Sequence, residues 1–214
     1  TEGLIPEMNE ENFKDNVILV LINTIYMMAK WQSPFESYNT NERKFATESG
    51  EIVTAAFLNS YHSNKDYIKT EDAEGIVLPY SDGKTAFLAL RPTDGSTIRE
   101  FAASLKGESM AEYVAAAENT VIHFSMPKFE VEYGAELNDY LVDMGLISAF
   151  DMTTADFSRM GKSERGNIHI SEVMQKVKII VDEEGTQAAA ATQVEVADSA
   201  APPQEPQELI LDSP

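Results

Sequence analysis

Residues 16–29 (NVILVLINTIYMMA) form the first clear hydrophobic run, rich in β-branched side chains and without alternation. That pattern predicts a strand covered on both faces, and a helix of similar length fits it as well. At 76–90 two apolar stretches flank Ser81-Asp82-Gly83, a spacing that predicts a β-hairpin. Thr97 with Glu100, and Ser109 with Glu112, each match a capping box, and Ile98, Phe101 and Leu105 follow the first at helical spacing until Gly107. Two short helices are therefore expected after the hairpin. Residues 121–131 return to strand composition, 135–144 read as a helix stopped by Gly145, and 168–181 are again strand-like. The order is a mixed α+β arrangement in which strands predominate.

From Asp182 onward the pattern changes to eight acidic residues with no Lys, Arg or aromatic side chain, and prolines cluster at 202, 203 and 206. Such a composition reads as a solvated acidic tail. Yet from Thr186 the positions alternate. Thr186, Ala188, Ala190, Thr192, Val194 and Val196 make a small or β-branched face, and Gln187, Gln193 and Glu195 mark the polar one. A strand pattern is thus written inside a loop composition.

The chain has 214 residues, 43% of them hydrophobic, enough for a core. Its formal charge of -20 argues against partners that present phosphate backbones or anionic lipid, so neither nucleic acid nor membrane is expected. Without cysteine, thiolate metal sites, disulfides and cysteine nucleophiles are excluded together. His62, His123 and His169 stand far apart in sequence in no metal-binding spacing, so a zinc site would need coincidences of folding, and a structural or surface role is expected for each. No nucleophile elbow, P-loop or dinucleotide fingerprint is found, and no enzyme, metal or cofactor is expected.

Four local sequences carry a family resemblance. Asn23-Thr24-Ile25-Tyr26 with Lys30-Trp31 and Pro34-Phe35 resembles the serpin pattern NxxYFKxxWxxPF, with Met27 at the usual Phe. Met126-Pro127-Lys128-Phe129 resembles the sixth strand of the serpin main sheet. Asp156-Phe157-Ser158 followed by Ile170-Ser171-Glu172-Val173 resembles the approach to the fifth. The most specific is Asp182 followed by Glu183, Glu184, Gly185, Thr186, Gln187, Ala188, Ala189, Ala190, Ala191 and Thr192, which resembles the proximal hinge, where Gly185 can supply the turn from strand to loop. In this order and spacing they identify the chain as a member of the serpin family.

The resemblance implies a serpin fold of large mixed sheets with packed helices and an exposed reactive-centre loop. Residues 1–181 would be the body and 182–214 the hinge and loop. It also implies a piece of a longer domain, lacking the early helices and the strands after the loop. The implied function is suicide inhibition of a serine protease, in which cleavage lets the loop insert as a strand and trap the acyl-enzyme. A non-inhibitory serpin acting as a binding or chaperone module is the alternative; bulky, charged or Pro residues in the hinge would favour it. Family spacing from Glu183 puts the scissile bond at Ser199–Ala200, within the range 197–201, and small residues there suit elastase-like or subtilisin-like proteases. Trp31, Lys128 and Glu183 match the breach at the top of the main sheet. Asn23 and Gln175 match the shutter, with Gln175 where the family usually has His. No Asn-x-Ser/Thr site occurs, and a secreted setting is expected.

Overall fold

A computed structural model describes residues 17–25, 27–164, 166–186 and 206–213. The chain divides into two units, residues 1–27 with 130–179 and residues 28–129 with 180–214.

In the first unit, β1 (Val20–Ile25) runs parallel to β9 (Glu172–Val181) in the register Val20↔Glu172 to Ile25↔Val177. β8 (Phe129–Glu136) also pairs with β9. Within the 16–29 run, Val20–Ile25 is therefore strand, as its β-branched composition favours, but it is not covered on both faces. Leu21, Ile22 and Ile25 are about half exposed, and among the described residues β9 is the strand neighbour of β1. Helix α3 (Asn138–Asp143) is shorter than the 135–144 expectation, since Ala135 and Glu136 are still in β8. Gly145, at φ 100°, follows it as the stop.

The second unit is built around β4 (Ile52–Lys69), whose eighteen residues pair with β3 (Asn41–Ala46), β5 (Ala73–Pro79) and β7 (Glu118–Pro127). Neither β3 nor β4 is evident from periodicity, because the middle of β4, SYHSNKD, is polar. A bulge lies there: Ser60 pairs with Phe124 and Ser63 with Ile122, so Tyr61 and His62 together oppose His123. β5 and β6 (Ala86–Pro92) form the expected hairpin. Its turn is held by Asp82, which accepts the Lys84 and Thr85 amides at 2.9 and 3.0 Å.

Helix α1 (Ile98–Ser104) starts at the predicted Thr97–Glu100 box. The second box is displaced. Helix α2 (Gly107–Ala115) begins at Gly107, so that glycine starts a helix instead of stopping one, and Ser109 lies in its first turn, accepting the Lys106 amide at 2.9 Å. Residues 121–131 prove to be two strands, β7 and the start of β8, interrupted at Lys128.

β11 (Gln207–Ile210) pairs parallel with β7, and Leu209 is fully buried. This strand lies within the stretch expected to be hinge and loop, and it follows the proposed reactive bond, where no strand was expected in this chain. Composition hid it, because four residues beside prolines and acids show no periodicity; tertiary pairing defines it. Arg91, held by Glu74, donates to the Ile210 carbonyl at 3.1 Å. The core of the unit gathers Trp31, Phe35, Leu58, Ile76, Tyr80, Ile122, Phe124, Met126, Val181 and Leu209.

Candidate functional site

β9 ends at Val181, and the chain reverses through Asp182-Glu183-Glu184 into β10 (Gly185–Thr186). The reversal is local chemistry. Asp182 Oδ1 accepts the amides of Glu184 and Gly185 at 2.9 and 3.2 Å, and the Asp182 amide donates to the Gly185 carbonyl at 3.0 Å. β10 then lies antiparallel between two strands, with Thr186 opposite Val181 of β9, and with Gly185 and Thr186 opposite Lys30 and Ala29 of β2 (Ala29–Lys30). Thr186, the first residue of the alternating run, is thus already in the sheet, with Gly185 beside it.

Gly185 is required by space. A Cβ there would stand 2.1 Å from the Ala29 carbonyl oxygen and 2.8 Å from the Lys30 Cα, both backbone atoms. Thr186 is buried, and its hydroxyl meets the Tyr80 hydroxyl at 2.6 Å. Tyr80 in turn stacks on Trp31, ring centroids 4.9 Å apart and nearly coplanar. Burial raises the Tyr80 pKa, so this hydroxyl pair stays neutral in ordinary conditions.

The predicted breach residues meet around the same turn. Trp31 donates from its indole to the Asp182 carbonyl at 2.9 Å, and its amide donates to Glu184 O at 2.9 Å. Lys128 Nζ reaches Glu183 Oε2 at 2.6 Å, and Thr40 Oγ1 donates to Glu183 Oε1 at 2.7 Å. The Phe35 amide donates to the Glu183 carbonyl. Burial pushes the Glu183 carboxyl up, but the hydrogen bonds from Lys128 and Thr40 outweigh it and hold its pKa below the ordinary 4.5. Sequence reasoning missed Thr40 and Tyr80, which lie far from the turn in sequence. Asp182 heads the run that resembles the hinge, and its place two and three residues before the amides it accepts is a local signal for its role.

The predicted shutter residues, Asn23 and Gln175, are direct partners in the parallel β1–β9 register. Among the described residues their side chains share no hydrogen bond, and Asn23 is exposed. Gln187, Ala188, Ala189, Ala190, Ala191 and Thr192 of the hinge, and Ser199 and Ala200 of the proposed reactive bond, lie outside the described residues.

A prediction follows for the Lys128–Glu183 pair. The Glu183 side chain is 14% exposed and Lys128 35%, placing the pair between a surface and a buried one. In the full-length protein, Lys128→Met should cost about 1–2 kcal/mol in urea unfolding. Because the folded pKa of Glu183 is depressed, its stabilisation is complete above the ordinary value of 4.5 and is lost as pH falls through the lower folded value. The variant should therefore lose less stability than wild type over that acid window. Parallel pH profiles for the two proteins would show that the pair contributes nothing.

A family model described as Serpin (serine protease inhibitor) matches residues 1–214. The chain is 31% identical over 211 residues to Serpin B12 of Mus musculus, covering 94% of this chain and 49% of that protein. It is 31% identical over 204 residues to serine proteinase inhibitor 2 of variola virus, covering 94% and 58%. Among solved structures, the thermophilic serpin Tengpin in its native state matches with a TM-score of 0.79 at 32% identity, over 95% of this chain and 52% of that one. Tengpin in its latent state matches with a TM-score of 0.62 at 35% identity, over 73% and 42%. The chain spans about half the length of the curated relatives it matches.

Proposed function

The chain belongs to the serpin family, and from that premise we propose that it is the loop-bearing part of an inhibitory serpin, a suicide substrate for a serine protease. The observation that carries this reading is β10. Gly185 and Thr186 already occupy a slot between the end of β9 and β2, with Thr186 buried and hydrogen-bonded. A strand begun in this way has its next residues ready to follow. Ala188, Ala190 and Thr192 continue the small face of Thr186, and no proline interrupts residues 186–196.

Cleavage at the proposed Ser199–Ala200 bond would free the upstream segment. Its insertion alongside β9 requires the six parallel pairs between β1 and β9 to part. Ten residues inserted beyond Thr186, at roughly 3.3 Å each, span about 33 Å, far enough to carry an attached acyl-enzyme across much of a domain. β11 stays anchored on β7 by its ladder and by Arg91, so the two sides of the cut can separate. The small residues around the bond favour proteases with shallow specificity pockets, and an extracellular setting belongs to the same proposal.

The test is to incubate the full-length protein with a pancreatic-type elastase and with subtilisin. A complex that survives SDS is expected, together with a released peptide whose N-terminus falls within 198–202. Clean cleavage without complex would overturn the inhibitory reading in favour of a binding or chaperone serpin.

A further inference from the structure

The bulge in β4 brings together two histidines that the sequence keeps sixty-one positions apart. Tyr61 and His62 oppose His123 across the β4–β7 ladder. The two imidazole rings lie 4.3 Å apart, centroid to centroid, at 88°, and Tyr61 closes edge-on against His123 at 5.5 Å. His62 is exposed, and at φ 48° it is the one non-glycine residue at positive φ among those described. His, like Asn and Asp, tolerates that conformation better than most residues, and a bulge re-aims the side chain it carries. His123 Nε2 is buried and has no hydrogen-bond partner among the described residues. A buried imidazole nitrogen without a partner is an uncompensated group.

We propose that His62 and His123 chelate a borderline divalent transition ion of the copper, nickel or zinc class. Neutral imidazoles are the ligands such ions favour, and no cysteine competes for them. Two imidazole nitrogens each about 2 Å from one ion put the ring centroids on the order of 5 Å apart, which is reached from the observed separation by a rotation of the exposed His62. His123, packed beneath Tyr61, is the fixed ligand; His62, on the bulge, is the movable one. Glu208 of β11 is the parallel ladder partner of His123 and is exposed. No three His, Cys, Asp or Glu side chains converge on one point among the described residues, so water completes the coordination. The site would also tie β4 and β7 together where β11 docks.

The competing explanation is a simple packing contact in which one ring's N–H faces the other's π surface. The untagged full-length protein, stripped with chelator, is titrated with Cu(II) and followed by electron paramagnetic resonance, with Zn(II) as competitor. One ion should bind in the micromolar range or tighter, with hyperfine splitting from two nitrogens. His62→Asn, which keeps a residue tolerant of positive φ, and His123→Gln should each lower affinity at least about tenfold, the smallest loss expected even of an outer partner. Each should also reduce the nitrogen count to one. Binding with unchanged affinity and spectrum in His62→Asn, or no binding at equimolar copper, would overturn the proposal. The result does not depend on protease inhibition, so failure of one leaves the other standing.

Discussion

Nicking the loop of the full-length protein is expected to raise its midpoint of thermal unfolding by about 10 °C or more. Ten residues beyond Thr186 would add about twenty ladder hydrogen bonds in place of the roughly six lost as β1 and β9 part, a gain of about fourteen at about 1 kcal/mol net each. Burial of the small face adds several kcal/mol at about 0.8 kcal/mol per carbon. Ordering the segment subtracts about 1–2 kcal/mol per residue, which leaves a surplus on the order of 10 kcal/mol. A domain of about twice this chain's length has an unfolding entropy near 0.9 kcal/mol per degree, from about 2.1 cal/mol/K per residue. Calorimetry on intact and fully nicked protein measures the difference directly. An unchanged midpoint, with the cut verified on a gel, would mean that the segment stays outside the sheet and would remove the physical basis of trapping.

Thr186→Arg is the substitution expected to have the largest effect on inhibition. Thr186 is 3% exposed and wedged between β9 and β2, with its hydroxyl on Tyr80. A guanidinium in that slot has no carboxylate among the contacts described there, and an unpaired buried charge costs several kcal/mol. β10 is then expelled, and insertion must drag the charge through the same gap. With 1.36 kcal/mol per factor of ten in rate, a cost of several kcal/mol slows insertion at least about a hundredfold. On the proposed inhibitory reading, deacylation then wins and the protease releases the cut protein. The ratio of SDS-stable complex to cleaved protein should fall by at least about tenfold, while Thr186→Ser, which keeps the hydroxyl, should stay near wild type. Equal complex yield from Thr186→Arg would show that insertion does not pass through the observed β10 slot.

Several features of the site were legible because they are local. The Asp182-Glu183-Glu184-Gly185 reversal is closed by hydrogen bonds within four residues. The α1 cap and the β5–β6 hairpin are likewise decided by neighbours in sequence. Resemblance also picked out Trp31, Lys128 and Glu183, which do meet, though nothing in their spacing specifies a contact. Other features were illegible for an equally physical reason. β4 hides its strand character behind a polar middle, because pairing on both edges satisfies its backbone without an alternating face. β11 is four residues long and is defined by a parallel partner far upstream.

By itself, then, the chain's order of residues determined the small-residue face after Gly185, the turn that precedes it and the absence of thiol chemistry, since each depends on side-chain size or on groups a few bonds apart. Tertiary structure alone decided that Thr186 would find Tyr80 across a separation of 106 residues and that two distant histidines would face each other at a bulge. Those meetings depend on the register of long-range ladders. A shift of one residue in such a ladder sends every side chain to the opposite face, and no nearby pattern can specify it.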